Sequence, residues 1–232
     1  MSAKSKPQTS RAARRPKSDN GNRSRADFVY QHLRESVRSG RYSPGDRLRE
    51  ADLAEQLDVS RTPIREALRR LVSDGLVEVA SSRGVMFVEL NKQQVRELYI
   101  LRESLEGTAA GLAAMHASEA EIELMHELLK ESGAIKGNPT KMAQTNRSFH
   151  RAIHDAAHNR YVTQAINQLY DSMALLPGTT FEFPGRSVTA HKEHLAILKA
   201  IKARDSEGAE HHARLHIQAA AQIRMKMMFA VD

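Results

Sequence analysis

The chain has 232 residues, no cysteine and a formal net charge of +7. Two domains with cores of their own fit that length, a disulfide framework and thiolate chemistry are excluded, and no apolar run approaches the roughly 18 residues of a membrane-spanning helix. The expectation is a cytoplasmic protein with no membrane segment, because the basic N-terminus has no apolar stretch behind it to make a secretory signal.

The charge is localised. Residues 1–25 hold eight Lys or Arg against Asp19 alone, so the remaining 27 bases and 27 acids cancel. With Ser, Pro, Gly and Asn but little apolar content, this segment reads as a disordered basic arm. Such an arm can hold phosphates non-specifically and speed association, or serve only as a solubilising leader.

From Arg25 to Ser39, Val29, Leu33 and Val37 form one helical stripe, with Gly40 past its end. Ser43-Pro44-Gly45-Asp46 is a turn. A short helix over Glu50 to Leu57 buries Leu53, Ala54 and Leu57, and Asp58-Val59 turns the chain into a second. There Ile64, Leu68 and Leu71 face inward, while Arg61 and Arg65, four residues apart, share the wet side. Ser60 or Thr62 can cap its start, and Pro63 falls in the first turn, where its missing N–H costs nothing. Asp74-Gly75 ends it. Leu76 to Val79 and Val85 to Val88 read as two strands joined at Ser81-Ser82-Arg83-Gly84. Helix-turn-helix plus hairpin is a winged helix. Arg61 and Arg65 can reach guanine edges in a major groove, and Gly84 lets the wing backbone approach a phosphate. Residues 61–70 hold four arginines against Glu66, the local asymmetry a DNA face needs.

The stretch SPGDRLREADLAEQLDVSRTPIREALRRLVSDGLVEV resembles the DNA-binding domain of GntR-type bacterial transcription regulators. The resemblance implies base or phosphate contacts from Arg61, Thr62 and Arg65 and minor-groove contact from the wing at Arg83-Gly84. Arg49 and Ser60, at the starts of the two helices, are placed on the same face.

Beyond Leu90 the strand signals vanish. Val95, Leu98, Ile100, Leu101, Leu105, Ala109, Leu112 and Met115 make a long helix. Ser118-Glu119-Ala120-Glu121 is a capping box opening another, and Gly137-Asn138-Pro139 breaks the chain. Further helices follow over Thr140 to His158, Tyr161 to Leu176, Ser187 to Ala203 and Asp205 to Phe229, with Asp205 a cap and Pro177 to Gly185 a loop. The fold expected is mainly α: residues 1–25 an arm, 26–90 a winged helix-turn-helix, and 91–232 an antiparallel helical bundle that binds ligand and dimerises.

Ten of the eleven histidines lie in the bundle. Asn146 and His150 stand at i and i+4, and His194 and His216 sit on later helices. Three imidazoles and one oxygen would suit a first-row divalent cation, although His154, His158, His191, His211 and His212 offer competing choices. NRSFHRAIHDAAHN and EHLAILKAIKARDSEGAEHHARLHI resemble the FCD effector domain of the FadR-like branch of the same family. In that family the ligands are an Asp or Asn, a His four residues on, and two later histidines, which implies Asn146, His150, His194 and His216 around Zn, Ni or Mn. Asn146 supplies a neutral oxygen where many relatives have a carboxylate. Arg102 stands where the family commonly places an arginine on its ligand, and a guanidinium suits a carboxylate; an ion pair with Glu106 is the alternative.

The implied function is that of a homodimeric transcription factor, most often a repressor in its family, binding a palindromic operator in double-stranded DNA and answering to a small organic acid. It would be nucleoid-associated when bound. A metal-dependent hydrolase with a DNA-binding head is the rival, weakened because no Glu or Asp is obviously placed as a base beside the histidines. A nucleoid-type protein working through its basic arm is a third reading.

Overall fold

The computed structural model describes residues 19–80 and 84–229. The basic arm up to residue 18 and the wing tip at Ser81-Ser82-Arg83, Arg83 included, lie outside them. The N-terminal unit runs α1 (Asp19–Arg38), β1 (Arg47–Leu48), α2 (Glu50–Gln56), α3 (Arg61–Ser73), β2 (Val77–Ala80) and β3 (Gly84–Phe87). Helix α1 thus begins six residues before Arg25. Strand β1 is an addition to the expected hairpin: two residues pair with β3, Arg47 opposite Met86 and Leu48 opposite Val85. The antiparallel order is β1-β3-β2. A two-residue strand carries no legible alternation, and only its partner defines it.

The head core matches the periodicity. Val29 and Leu33 of α1, Ile64, Ala67 and Leu71 of α3, and Phe87 of β3 are almost wholly buried. Ser60 occupies the N-cap of α3 in extended conformation, but neither it nor another side chain makes the expected cap hydrogen bond.

The C-terminal unit is helical: α4 (Lys92–His116), α5 (Glu119–Ala134), α6 (Pro139–Ala156), α7 (Arg160–Met173), α8 (Arg186–Lys202) and α9 (Ser206–Phe229). A short 3-10 turn, Thr180–Glu182, interrupts the expected loop. The Ser118 capping box forms, and Asp205 Oδ1 accepts the Gly208 N–H at 2.9 Å, as a cap should. A second box, Asn91 with Gln94, starts α4.

Helix α4 packs lengthwise against α9, and glycine permits the approach. A Cβ on Gly107 would lie 2.8 Å from Arg214 Cγ, and one on Gly111 would lie 3.3 Å from the Ser206 carbonyl oxygen. Ala109, Ala110 and Ala113 of α4 and Ala209 and Ala213 of α9 belong to the buried core of the bundle. The buried face of α4 also carries Arg102 and Glu106, whereas Ile100, Leu101 and Met115 are exposed.

The two units are sewn together by α7. Leu175, just past its end, is 1% exposed within the head core, a burial that contributes about 2 kcal/mol. Asp171 of α7 is buried between two arginines of α1: Arg34 Nε at 2.8 Å and Arg38 Nε at 2.6 Å donate to its two oxygens.

Candidate nucleic-acid interface and metal centre

Arg49, Ser60, Arg61, Thr62, Arg65 and Gly84 are all exposed on the head. Arg61, Arg65 and Arg69 recur every four residues along one wet face of α3. Arg65 Nε donates to Glu50 Oε2 at 2.7 Å, which ties α3 to the first turn of α2. Both groups are substantially exposed, so the pair is weak and a phosphate or base can displace it. Arg70 points the other way, toward α1: it pairs with Asp27, itself a weak exposed pair, and stacks 4.0 Å from the Tyr30 ring centroid. The four-arginine cluster read from the sequence therefore divides into three outward-facing groups and one that braces α1.

In the bundle, three histidines from three helices converge. His150 of α6, His194 of α8 and His216 of α9 are each 2–3% exposed. His216 Nε2 lies 3.2 Å from both His150 Nε2 and His194 Nε2. Two carboxylates sit on the far side of the rings: Glu106 Oε2 is 2.9 Å from His150 Nδ1, and Glu193 Oε2 is 2.7 Å from His216 Nδ1. We assign the Nδ1 protons of both rings from these partners. Their Nε2 lone pairs then face one another, which is repulsive unless a cation or a shared proton lies between them. Carboxylate behind imidazole is the arrangement that orients histidine ligands in metal sites.

The electrostatics hold the rings neutral. Burial, then the neighbouring imidazoles and Arg186, push His194 well below the usual range, and burial, then His150 and Arg186, do the same to His216. Burial also lowers His150, with Glu106 opposing. Neutral imidazole is the form that ligates metal.

Glu106 is the hub. Besides His150, it accepts from His154 Nε2 at 2.8 Å, Tyr170 Oη at 2.7 Å and Arg102 Nε at 3.2 Å. Burial works to raise its carboxyl, but His150 and His154 outweigh that and hold it well below the usual carboxylate range. Arg102 also donates through Nη2 to Tyr170 Oη at 3.3 Å, so the ion pair with Glu106 weighed above is present. Asn146 stands half-buried one turn before His150. His154, a competing choice in the sequence, meets Glu106 rather than the converging Nε2 atoms, and His211 is exposed.

The expectation that no acidic residue lies beside the histidines is corrected, because Glu106 and Glu193 both do. They touch the Nδ1 side, away from the convergence point, and Asp155 is exposed. Arg186 was also missed. It is 2% exposed, donates to Glu193 Oε1 at 2.8 Å and lies 3.3 Å from His216 Nδ1. Glu106 carried one signal, its i+4 spacing from Arg102. Glu193 carried none toward His216, which lies on α9, and Arg186 carried only its i+7 spacing from Glu193 along α8.

A further acidic and histidine group, Glu123, His126 and Glu127, is exposed along one helix and reads as a solvated face. Among the described residues, no helix is long and apolar enough to cross a membrane.

Residues 25–87 match the model of bacterial regulatory proteins, gntR family, and residues 97–219 match that of the FCD domain. The HTH-type transcriptional regulator McbR of Escherichia coli is 32% identical, over 79% of this chain and 85% of that one. The "Probable D-xylose utilization operon transcriptional repressor" of Paenarthrobacter nicotinovorans is 33% identical, over 83% and 84%. The solved structure of E. coli McbR/YncC superposes with a TM-score of 0.75 at 28% identity, covering 88% of this chain and 98% of that one.

Proposed function

Because the chain belongs to the GntR family of bacterial transcriptional regulators, with a winged-helix DNA-binding domain and a C-terminal FCD domain, we propose that it is a repressor whose hold on a palindromic operator is set by a small carboxylate ligand bound beside a divalent metal. The observation that carries the metal reading is the convergence of three buried, neutral imidazole Nε2 atoms, two of them oriented by carboxylates. The relatives are regulators rather than enzymes, and no finding favours the hydrolase.

His150, His194 and His216 would hold the cation, with Asn146 the fourth donor one turn from His150. Zn, Ni and Mn all tolerate such donors. A bound cation would supply a Lewis-acidic position suited to a ligand carboxylate. This chain's own residues do the rest. Glu106 and Glu193 fix the imidazole tautomers, and burial keeps the rings unprotonated. Arg102, already tied to Glu106 and Tyr170, is the cation we assign to the ligand's carboxylate.

At the other end, Arg49, Ser60, Arg61, Thr62, Arg65, Gly84 and the wing residue Arg83 form the proposed DNA face. Phosphate contacts set register and arginine–guanine contacts set sequence. Regulators of this family typically form dimers, and a palindrome needs two heads at fixed separation; we assign that pairing to the helical domain. The repressor reading is supported by the name of the Paenarthrobacter relative.

The test has two parts. Metal analysis of purified protein should give about one ion per chain, and a thermal-shift screen of small organic acids on that protein should give a hit. Selection of bound fragments from genomic DNA should return an inverted repeat. Absence of stoichiometric metal together with no stabilisation by Zn, Ni or Mn removes the metal reading; bound fragments without a common repeat remove the operator reading.

A further inference from the structure

Helix α7 touches both ends of the molecule with consecutive residues. Tyr170 Oη donates to Glu106 Oε1 at 2.7 Å, inside the hub that orients His150. The next residue, Asp171, is 5% exposed and receives Arg34 Nε at 2.8 Å and Arg38 Nε at 2.6 Å from α1 of the DNA-binding head. Arg38 Nη2 adds a hydrogen bond to the Asn167 carbonyl oxygen at 2.9 Å, one turn earlier on the same helix. Just beyond the helix, Ala174 and Leu175 pack into the head core itself. Successive residues on a helix point about 100° apart, so one rigid element presents one face to the histidine site and another to the head. Beside this seam lies an open cleft of about 880 Å³ lined by Tyr30, Arg34, Arg38 and residues of α7, so the seam is not closed off by further packing.

We infer that Tyr170 and Asp171 of α7 relay the state of the histidine site to the DNA-binding head, through the Glu106–Tyr170 hydrogen bond at one end and the Asp171–Arg34/Arg38 ion pairs at the other. The inference rests on the reading of the histidine site as the effector site. A ligand or metal that draws His150 also shifts Glu106, because they share a buried hydrogen bond. Tyr170 follows Glu106, and Asp171 moves with Tyr170 because the helix is stiff. Asp171 is buried and held by both arginines of α1, so a displacement of α7 passes to α1 as an exchange of discrete hydrogen bonds, and a small shift resolves into one of two arrangements of α1. Asp171 is a positioning residue in this scheme and touches no ligand.

The experiment follows amide hydrogen exchange along the full chain by mass spectrometry, with and without one equivalent of zinc. Zinc should slow exchange in α6, α8 and α9 and alter it in α1. Asp171→Asn should keep the first effect and lose the second, and Arg34→Gln should do the same from the head side. A metal-free arm perturbs the site directly. Tyr170→Phe should speed exchange of α1 amides roughly two- to thirtyfold, and should add nothing further once Asp171→Asn is present. Should zinc leave α6, α8 and α9 unchanged while Tyr170→Phe still reaches α1 through Asp171, the relay stands and the metal reading falls. If α1 ignores Tyr170→Phe, or answers zinc equally well in Asp171→Asn, the relay is wrong.

Discussion

Replacing Glu106 with alanine should be among the most damaging single changes in the helical domain. The carboxylate is 2% exposed and accepts from His150, His154, Tyr170 and Arg102. Its removal leaves Arg102, 7% exposed, as a buried guanidinium without a counter-ion. Breaking a buried ion pair from one side costs about 3–5 kcal/mol, and each stranded buried donor adds about 1–3 kcal/mol unless it finds another partner. Tyr170 can rotate its hydroxyl and the imidazoles can change tautomer, so most of the loss falls on Arg102. The expected cost is about 4 kcal/mol, a large part of the roughly 5–15 kcal/mol typical of a folded domain. Glu106→Gln keeps the shape and one acceptor and should cost about half as much. Arg102→Met added to Glu106→Gln should recover about 1 kcal/mol or more, because the orphaned charge is gone. Urea unfolding in chelator, followed by far-ultraviolet circular dichroism, reads all three as midpoint shifts at constant slope. A loss below about 1 kcal/mol for Glu106→Ala would refute the buried-charge account, since it would place the carboxylate among ordinary surface positions.

Other expectations follow from the same geometry. Chelation should lower the melting temperature of metal-loaded protein by mass action; His150→Ala and His194→Ala should each abolish that response, and exposed His211→Ala should leave it intact. Stability should also fall in mild acid. His150, His194 and His216 are held below the usual 6.5, so the unfolded chain binds more protons as pH drops through that value. Melting temperature measured without metal should therefore be flat above about pH 7 and decline below about 6.5, with Glu106 adding a further loss in stronger acid; an increase on acidification would show the sign to be wrong. Arg65→Ala should cost about 1–3 kcal/mol on the selected operator and little on scrambled duplex in a gel-shift titration; equal small losses on both would mean that Arg65 only neutralises charge. Light scattering should find the full chain dimeric at micromolar concentration, and a monomer would exclude two heads at fixed spacing.

The sequence by itself determined the elements and the donor types. Alternation and 3.6-residue periodicity reported the head because its helices each bury one stripe: Val29 and Leu33, then Ile64, Leu68 and Leu71, are where local spacing places them. Capping chemistry is equally local, so Ser118 and Asp205 were legible within four residues of what they cap. The i and i+4 spacing of Asn146 and His150, with the family resemblance, named the histidines that the structure brings together.

Tertiary structure alone decided everything that depends on two distant segments meeting. Strand β1 exists only because Arg47 and Leu48 lie against Met86 and Val85. Glu106 and Glu193 became partners of the histidines because α4 and α8 bring carboxylates behind rings on α6 and α9, and no spacing along one helix encodes that. Arg70 and Arg65 look alike in sequence, yet one braces α1 and the other faces outward, since 360° of helix face is divided by what packs against it. Asp171 is the clearest case. It reads as one acid in a polar helix, and only the approach of α1 to α7 makes it a buried anion between two arginines, because a charge's role is set by the dielectric and the partners that the fold supplies.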